Sequence, residues 1–241
     1  MLQFKAVLSW IIWESIMKFC LNLLSLCLIL VCNNAIAQES TSKSTVLYDY
    51  GHHEQHGGKC IVHQSGQVDA YNGAQVTAYD NAVVRAYDNC VVESYGNTVV
   101  YANATTQIKA YDNSRIFAKN NSNVASHGSS TVEAKQNTTV NASGNSNVAC
   151  RDNVKVNASD NVTVTAQGES TVNANGNSLV IAEDDSKINA SGNCNVKAYD
   201  HSSVKAVPNA EVEGFGHSRI DAASRANVIL HDESVLNGAN K

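Results

Sequence analysis

Val76-Thr-Ala-Tyr-Asp-Asn-Ala-Val83 runs without interruption into Val84-Arg-Ala-Tyr-Asp-Asn-Cys-Val91, so the same eight-residue pattern is written twice in a row. From Val68, in steps of eight, all 22 positions to Leu236 hold Val, Ile or Leu, 17 of them Val, with no insertion or deletion. A short fixed period of this kind predicts a solenoid, whose core is built by stacking one repeat on the next.

Each octad resolves into a strand and a turn. Side chains two apart share a face of a strand, and two residues after the central Val lies Ala in 16 of 22 units. Two residues before it lies a small or β-branched residue such as Ala74, Cys90, Thr98 or Ser114. Small, Val, Ala is therefore the inward face of a five-residue strand, and the residues between them, which are mixed and include Arg85, Glu93, Lys109, Asn173 and Lys187, face out. The remaining three residues form a turn. Its second position is mostly Asp or Gly, which tolerate left-handed backbone, and its third is Asn in 12 of 21 units. Pro208, the single proline, also falls in this turn, where it deletes no ladder hydrogen bond. Stacked Asn amides at one corner are expected to bond to one another or to turn backbone.

The expected fold is all-β: a β-solenoid, or parallel β-helix, of 8-residue repeats. Two octads per 16-residue rung fit better than three, because a triangular prism needs bulkier axial side chains than Val and Ala to reach native packing density. Residues 67–241 form this solenoid. Residues 38–66 are read as a polar, His-rich N-terminal segment and cap, and residues 1–37 as a signal peptide with a start at Met1 or Met17. The leader reading rests on Lys18, the apolar run Leu21 to Val31, and the Ala35-Ile36-Ala37 cleavage pattern. A lipid-modified Cys32 and a single membrane anchor are the alternatives.

Cleavage after Ala37 leaves 15 basic and 21 acidic residues, a net charge of −6, which argues against a nucleic-acid partner and leaves no membrane span. Four cysteines remain. Cys90, Cys150 and Cys194 fall in inward slots several rungs apart, too far for disulfides, and are read as small buried hydrophobes. An intermolecular role for Cys60 stays open.

These octads resemble the arrays of secreted β-solenoid proteins of bacterial surfaces. The resemblance covers residues 67–238 and implies an exported bacterial protein, secreted or at the cell surface, that is structural or adhesive: a spacer, adhesin or matrix component. It carries over no functional residue.

Catalysis on such a scaffold requires a groove built by loops, and 22 uninterrupted units supply none, so the chain is read as non-enzymatic and without a cofactor. A polysaccharide-active enzyme would need clustered charge, and an ice-binding face would need a uniform Thr array; neither is written here. Two local signals support a binding module as the alternative. Tyr71, Tyr79, Tyr87, Tyr95 and Tyr111 recur three after the central Val and are candidates for contact with surface glycans or other surface proteins; shielding of the strand corners is the competing reading. His52, His53 and His56, near Glu54, Cys60 and His63, are candidate metal ligands without the paired spacing of an established site. Turn carboxylates are candidate calcium ligands, although Gly competes for their slot. An open sheet edge at the end of the array favours end-to-end self-association.

Overall fold

The computed structural model describes residues 45–223 and 226–237. The leader reading, and the cysteines and cleavage site it involves, lie outside the described residues. The described chain is strand and turn throughout. It forms two parallel sheets, one of 13 strands and one of 12, and successive strands alternate between them. Val68 pairs with Val84 and Val84 with Val100 in one sheet; Val76 pairs with Val92 and Val92 with Ile108 in the other. Partners are 16 residues apart, so each rung holds two octads, as the small core residues predict.

The inward slots do what their residue types require. The central residues from Val68 to Ile220 and the Ala two beyond them are buried between the sheets. The slot two before the Val is buried too, yet it is often Ser or Thr. Its hydroxyl donates to the carbonyl three residues back, closing the turn: Ser114 Oγ to Tyr111 O at 2.7 Å, Ser122 to Lys119 O at 2.7 Å, Ser146 to Ser143 O at 2.8 Å. A buried hydroxyl is tolerated when it is bonded. Cys194 Sγ makes the same contact with Ser191 O. Ser186, Ser202 and Ser218 occupy equivalent buried slots with no protein partner for the hydroxyl.

The turn slot shared by Asp and Gly is left-handed, with φ of 56° at Asp112 and 74° at Gly176. This backbone conformation suits both residues, but stacking adds a second demand. Asp112 Oδ2 accepts the N–H of Gly96, one rung earlier, at 3.0 Å, and Asp184 does the same for Gly168 at 2.9 Å. The carboxylate thus caps the turn below it. At Gly176 a Cβ would lie 2.9 Å from Asp160 N and 3.0 Å from Asp160 O, so close backbone approach explains the glycine there. Pro208 cannot adopt positive φ, and Asn209 takes it instead at 77°.

The solenoid does not begin at residue 67. Strands β1 (Thr45–Tyr48), β2 (His52–His56) and β3 (Lys59–Val62) precede β4 (Gln67–Tyr71) and pair in the same two sheets. Their offsets are irregular, since Val46 pairs with Cys60 and His53 with Val68, before the 16-residue step sets in. The His-rich segment is therefore a strand of the rod itself, and it covers the edge of β4. Cys60 sits in the inward column above Val76 and is 1% exposed, which removes the intermolecular role left open for it. Cys60, Cys90, Cys150 and Cys194 are all buried free thiols. Burial pushes Cys60 up to about 12 and Cys150 to about 11, so both stay protonated and inert at neutral pH.

Candidate functional site

Because the rung is 16 residues, every second octad lies in the same sheet, and outward side chains form columns along the rod. The five candidate tyrosines separate accordingly. Tyr79, Tyr95 and Tyr111 stack on the 13-stranded side, and Tyr71 and Tyr87 on the 12-stranded side. The first column continues at both ends into histidine, His63 on Tyr79 and Tyr111 on His127, giving five rings in one ladder. The second runs His56, Tyr71, Tyr87.

Ring centroids within the tyrosine ladders are 4.8–5.2 Å apart and planes are 5–14° from parallel. Each interior ring therefore spends both faces on its neighbours. A sugar ring stacks on an aromatic face, and inside the ladders both faces are taken by neighbouring rings, whereas Tyr87 ends its ladder with one face on Tyr71. The ladder shields the corner and stiffens the early rungs, as offset aromatic pairs do. Burial, followed by the charge of Glu93, raises the Tyr95 hydroxyl above its usual range.

Beyond His127 the same corner becomes small and polar, with Ser143, Ser159, Asn175 and Ser191 in place of rings. Beside it runs a column of amides. Asn157 Nδ2 donates to Asn141 Oδ1, Asn173 to Asn157, and Asn189 to Asn173, each at 2.8 Å. Together these columns line an open trough of about 650 Å³ that ends at His127 on one side and at Lys205 and Val207 on the other. The amide ladder was not anticipated, although a signal for it exists at the period of 16: Thr139-Val-Asn-Ala142, Lys155-Val-Asn-Ala158, Thr171-Val-Asn-Ala174 and Lys187-Ile-Asn-Ala190. The corner Asn ladder that was expected forms too, but with longer contacts, 3.2 Å from Asn161 to Asn145 and 3.4 Å from Asn177 to Asn161.

Chemically, the trough offers neutral donors and acceptors. Its titratable lining residues, His127 and Lys205, stand five rungs apart, roughly 24 Å at ordinary strand spacing, so they form no acid–base pair.

The candidate metal ligands are dispersed along β2. His52 Nε2 meets Asp69 at 3.1 Å, His53 stacks on Tyr48 and contacts Tyr50 O at 2.7 Å, and His56 stacks on Tyr71 while its Nε2 lies 3.5 Å from Glu54. No group of three or more His, Cys, Asp or Glu side chains gathers around a common point among the described residues. The turn carboxylates proposed as calcium ligands include several, such as Asp112, Asp160 and Asp184, that are engaged by backbone N–H groups of the rung before.

Residues 63–207, containing the five-ring ladder and the amide trough, match the model of a family described as an uncharacterized protein conserved in bacteria (DUF2345). The chain belongs to this family. No curated protein and no solved structure matches it. The DUF2345 match starts at His63, the first ring of the longer ladder, and stops at Val207, so it lies within the regular rungs and excludes the irregular first ones. Among the described residues no helix is long and apolar enough to cross a membrane.

Proposed function

We propose that this chain is a non-enzymatic structural rod, exported by its N-terminal segment and displayed at the bacterial surface or secreted, where it serves as a spacer or adhesive element. The observation that carries this reading is the unbroken 16-residue register from Gln67 to Ala222, which leaves no loop from which to wall a catalytic cleft. The apolar side chains spent on ladders and core, the amide zipper along one face and the hydroxyl-closed turns all serve rigidity along one axis. Twelve to thirteen strands per sheet correspond to a rod roughly 60 Å long.

The test combines processing and proteolysis. Protein recovered from outside the cytoplasm should begin at Gln38, and trypsin should leave it uncut from Thr45 to Arg219. The Lys and Arg side chains from Lys59 to Arg219 lie on strands or turns hydrogen-bonded to rungs above and below, and a protease needs a locally unfolded segment. Retention in the cytoplasm with Met1 or Met17 intact, or a tryptic digest into rung-sized fragments, would contradict the proposal.

A further inference from the structure

Three cations on this rod are paired with a carboxylate one rung away. Lys109 Nζ lies 2.9 Å from Glu93, which raises the lysine above its usual range; Lys197 lies 3.5 Å from Glu213, and Arg85 lies 3.4 Å from Asp69. Each pair is 16 residues apart, in the same column. One column instead places cations on successive rungs. Below Tyr87 and Asn103, the corner of the 12-stranded sheet carries Lys119, Lys135 and Arg151 on three successive rungs; Lys135 and Arg151 are register partners. Arg115, on the strand that leads to Lys119, adds a fourth cation. None of the four makes an ion pair among the described residues. Like charges stacked directly above one another are destabilising.

Carboxylates are also missing where the rest of the rod supplies them. The adjoining turn slot holds Asp88 and Asp152 at its two ends, but Ala104, Asn120 and Gln136 between them. The remaining acid is Glu133, whose register partners are Phe117 and Ala149. Beside the cations lies a groove of about 370 Å³ lined by Tyr101, Asn103, Phe117, Lys119, Glu133 and Lys135, with Arg85 and Tyr87 at its head. Tyr101 and Phe117 stack at 5.0 Å, with Arg85 over the first ring at 5.9 Å and Arg115 over the second at 5.8 Å.

We propose that this cation column and its aromatic-floored groove bind a linear acidic polysaccharide laid along the rod axis. A polymer with a carboxylate on each sugar neutralises successive rungs at once, and the ring edges give its C–H surface an apolar floor. The stacked and cation-capped ring faces leave no platform for a nucleobase, which separates this surface from a single-strand nucleic-acid site. The chain as a whole carries a net charge of −5, so attraction is confined to this patch and weakens with salt. This goes beyond the structural role and does not depend on it.

The test is binding of the purified full chain to polygalacturonate, with dextran and oligo(dT) as comparison polymers. The expected result is salt-sensitive binding to polygalacturonate alone. K119Q/K135Q/R151Q should weaken it roughly tenfold or more with an unchanged circular-dichroism spectrum, since three charge contacts are lost. E133Q should strengthen it, and K155Q/K187Q, on the opposite sheet, should leave it unchanged. No binding to polygalacturonate, equal binding by the triple variant, or oligo(dT) binding as tight as that of polygalacturonate would overturn the proposal.

Discussion

Removing residues 157–172 should leave a folded rod one rung shorter, whereas removing Thr163 alone should destabilise the chain by several kcal/mol. The sixteen-residue deletion joins Val156 to Asn173 and preserves every column, because Val156 and Val172 are register partners and Asn157 is replaced in its ladder by Asn173. In a quasi-one-dimensional fold each rung contacts its neighbours, so loss of one complete unit removes one set of intrinsic and interface terms. Loss of Thr163 instead places Val162 next to Val164, both now 0% exposed. Strand alternation then sends one of them, with the residues in phase with it, to the solvent face. Each displaced Val costs about 2 kcal/mol. Denaturant unfolding of both variants checks this; equal stability of the two would mean that register is not what holds the rod together.

The second large effect is expected at the middle of the core. Val164→Asp should cost about 4 kcal/mol or more, against about 2 kcal/mol for Val164→Ala and under about 1 kcal/mol for Thr165→Asp. Val164 stacks between Val148 and Val180, and the inward slots around it are Val, Ala, Ser and Cys150. A carboxylate there meets no cation, whereas Thr165 points out on the same strand. Burial would hold the new carboxyl above its unfolded value of about 3.9. The variant's stability is therefore fully retained only below that value and falls as pH rises through the folded one, so its deficit should be smaller at pH 4 than at pH 8. Melting temperatures of the three variants across that range measure it, and an outward-like, pH-independent effect at position 164 would count against the burial assignment.

Much of the fold is legible in residues because the period of eight and the period of two coincide: the slots that hold Val, Ile or Leu in every unit and Ala in most are the inward ones, and Pro208 falls in a turn. The size of those side chains also indicates two octads per rung. What the octad hides is parity. Tyr71 and Tyr79 look equivalent in an eight-residue alignment, yet they face different edges, and the four Asn of the amide ladder look like scattered polar residues until every second octad is superimposed. Charge behaves the same way, since Lys119, Lys135 and Arg151 become a column only at a spacing of 16. Cys60 lies one period before Val68 and pairs with Val76 at the regular spacing, whereas the histidines of β2 could not be placed by periodicity, because the first rungs step by 14 and 15 residues. The strand identity of those histidines comes from pairing with β4, which no local pattern announces.

The ladders, the trough and the cation column all depend on the 16-residue rung. The direct measurement is the spin-label distance between Thr77→Cys and Asn173→Cys, two outward positions of one column separated by 96 residues, in a chain whose buried native thiols stay unlabelled. Six rungs of 16 residues place these sites roughly 29 Å apart at ordinary strand spacing. A distance of roughly 19 Å, the value for four rungs of 24 residues, would contradict the account.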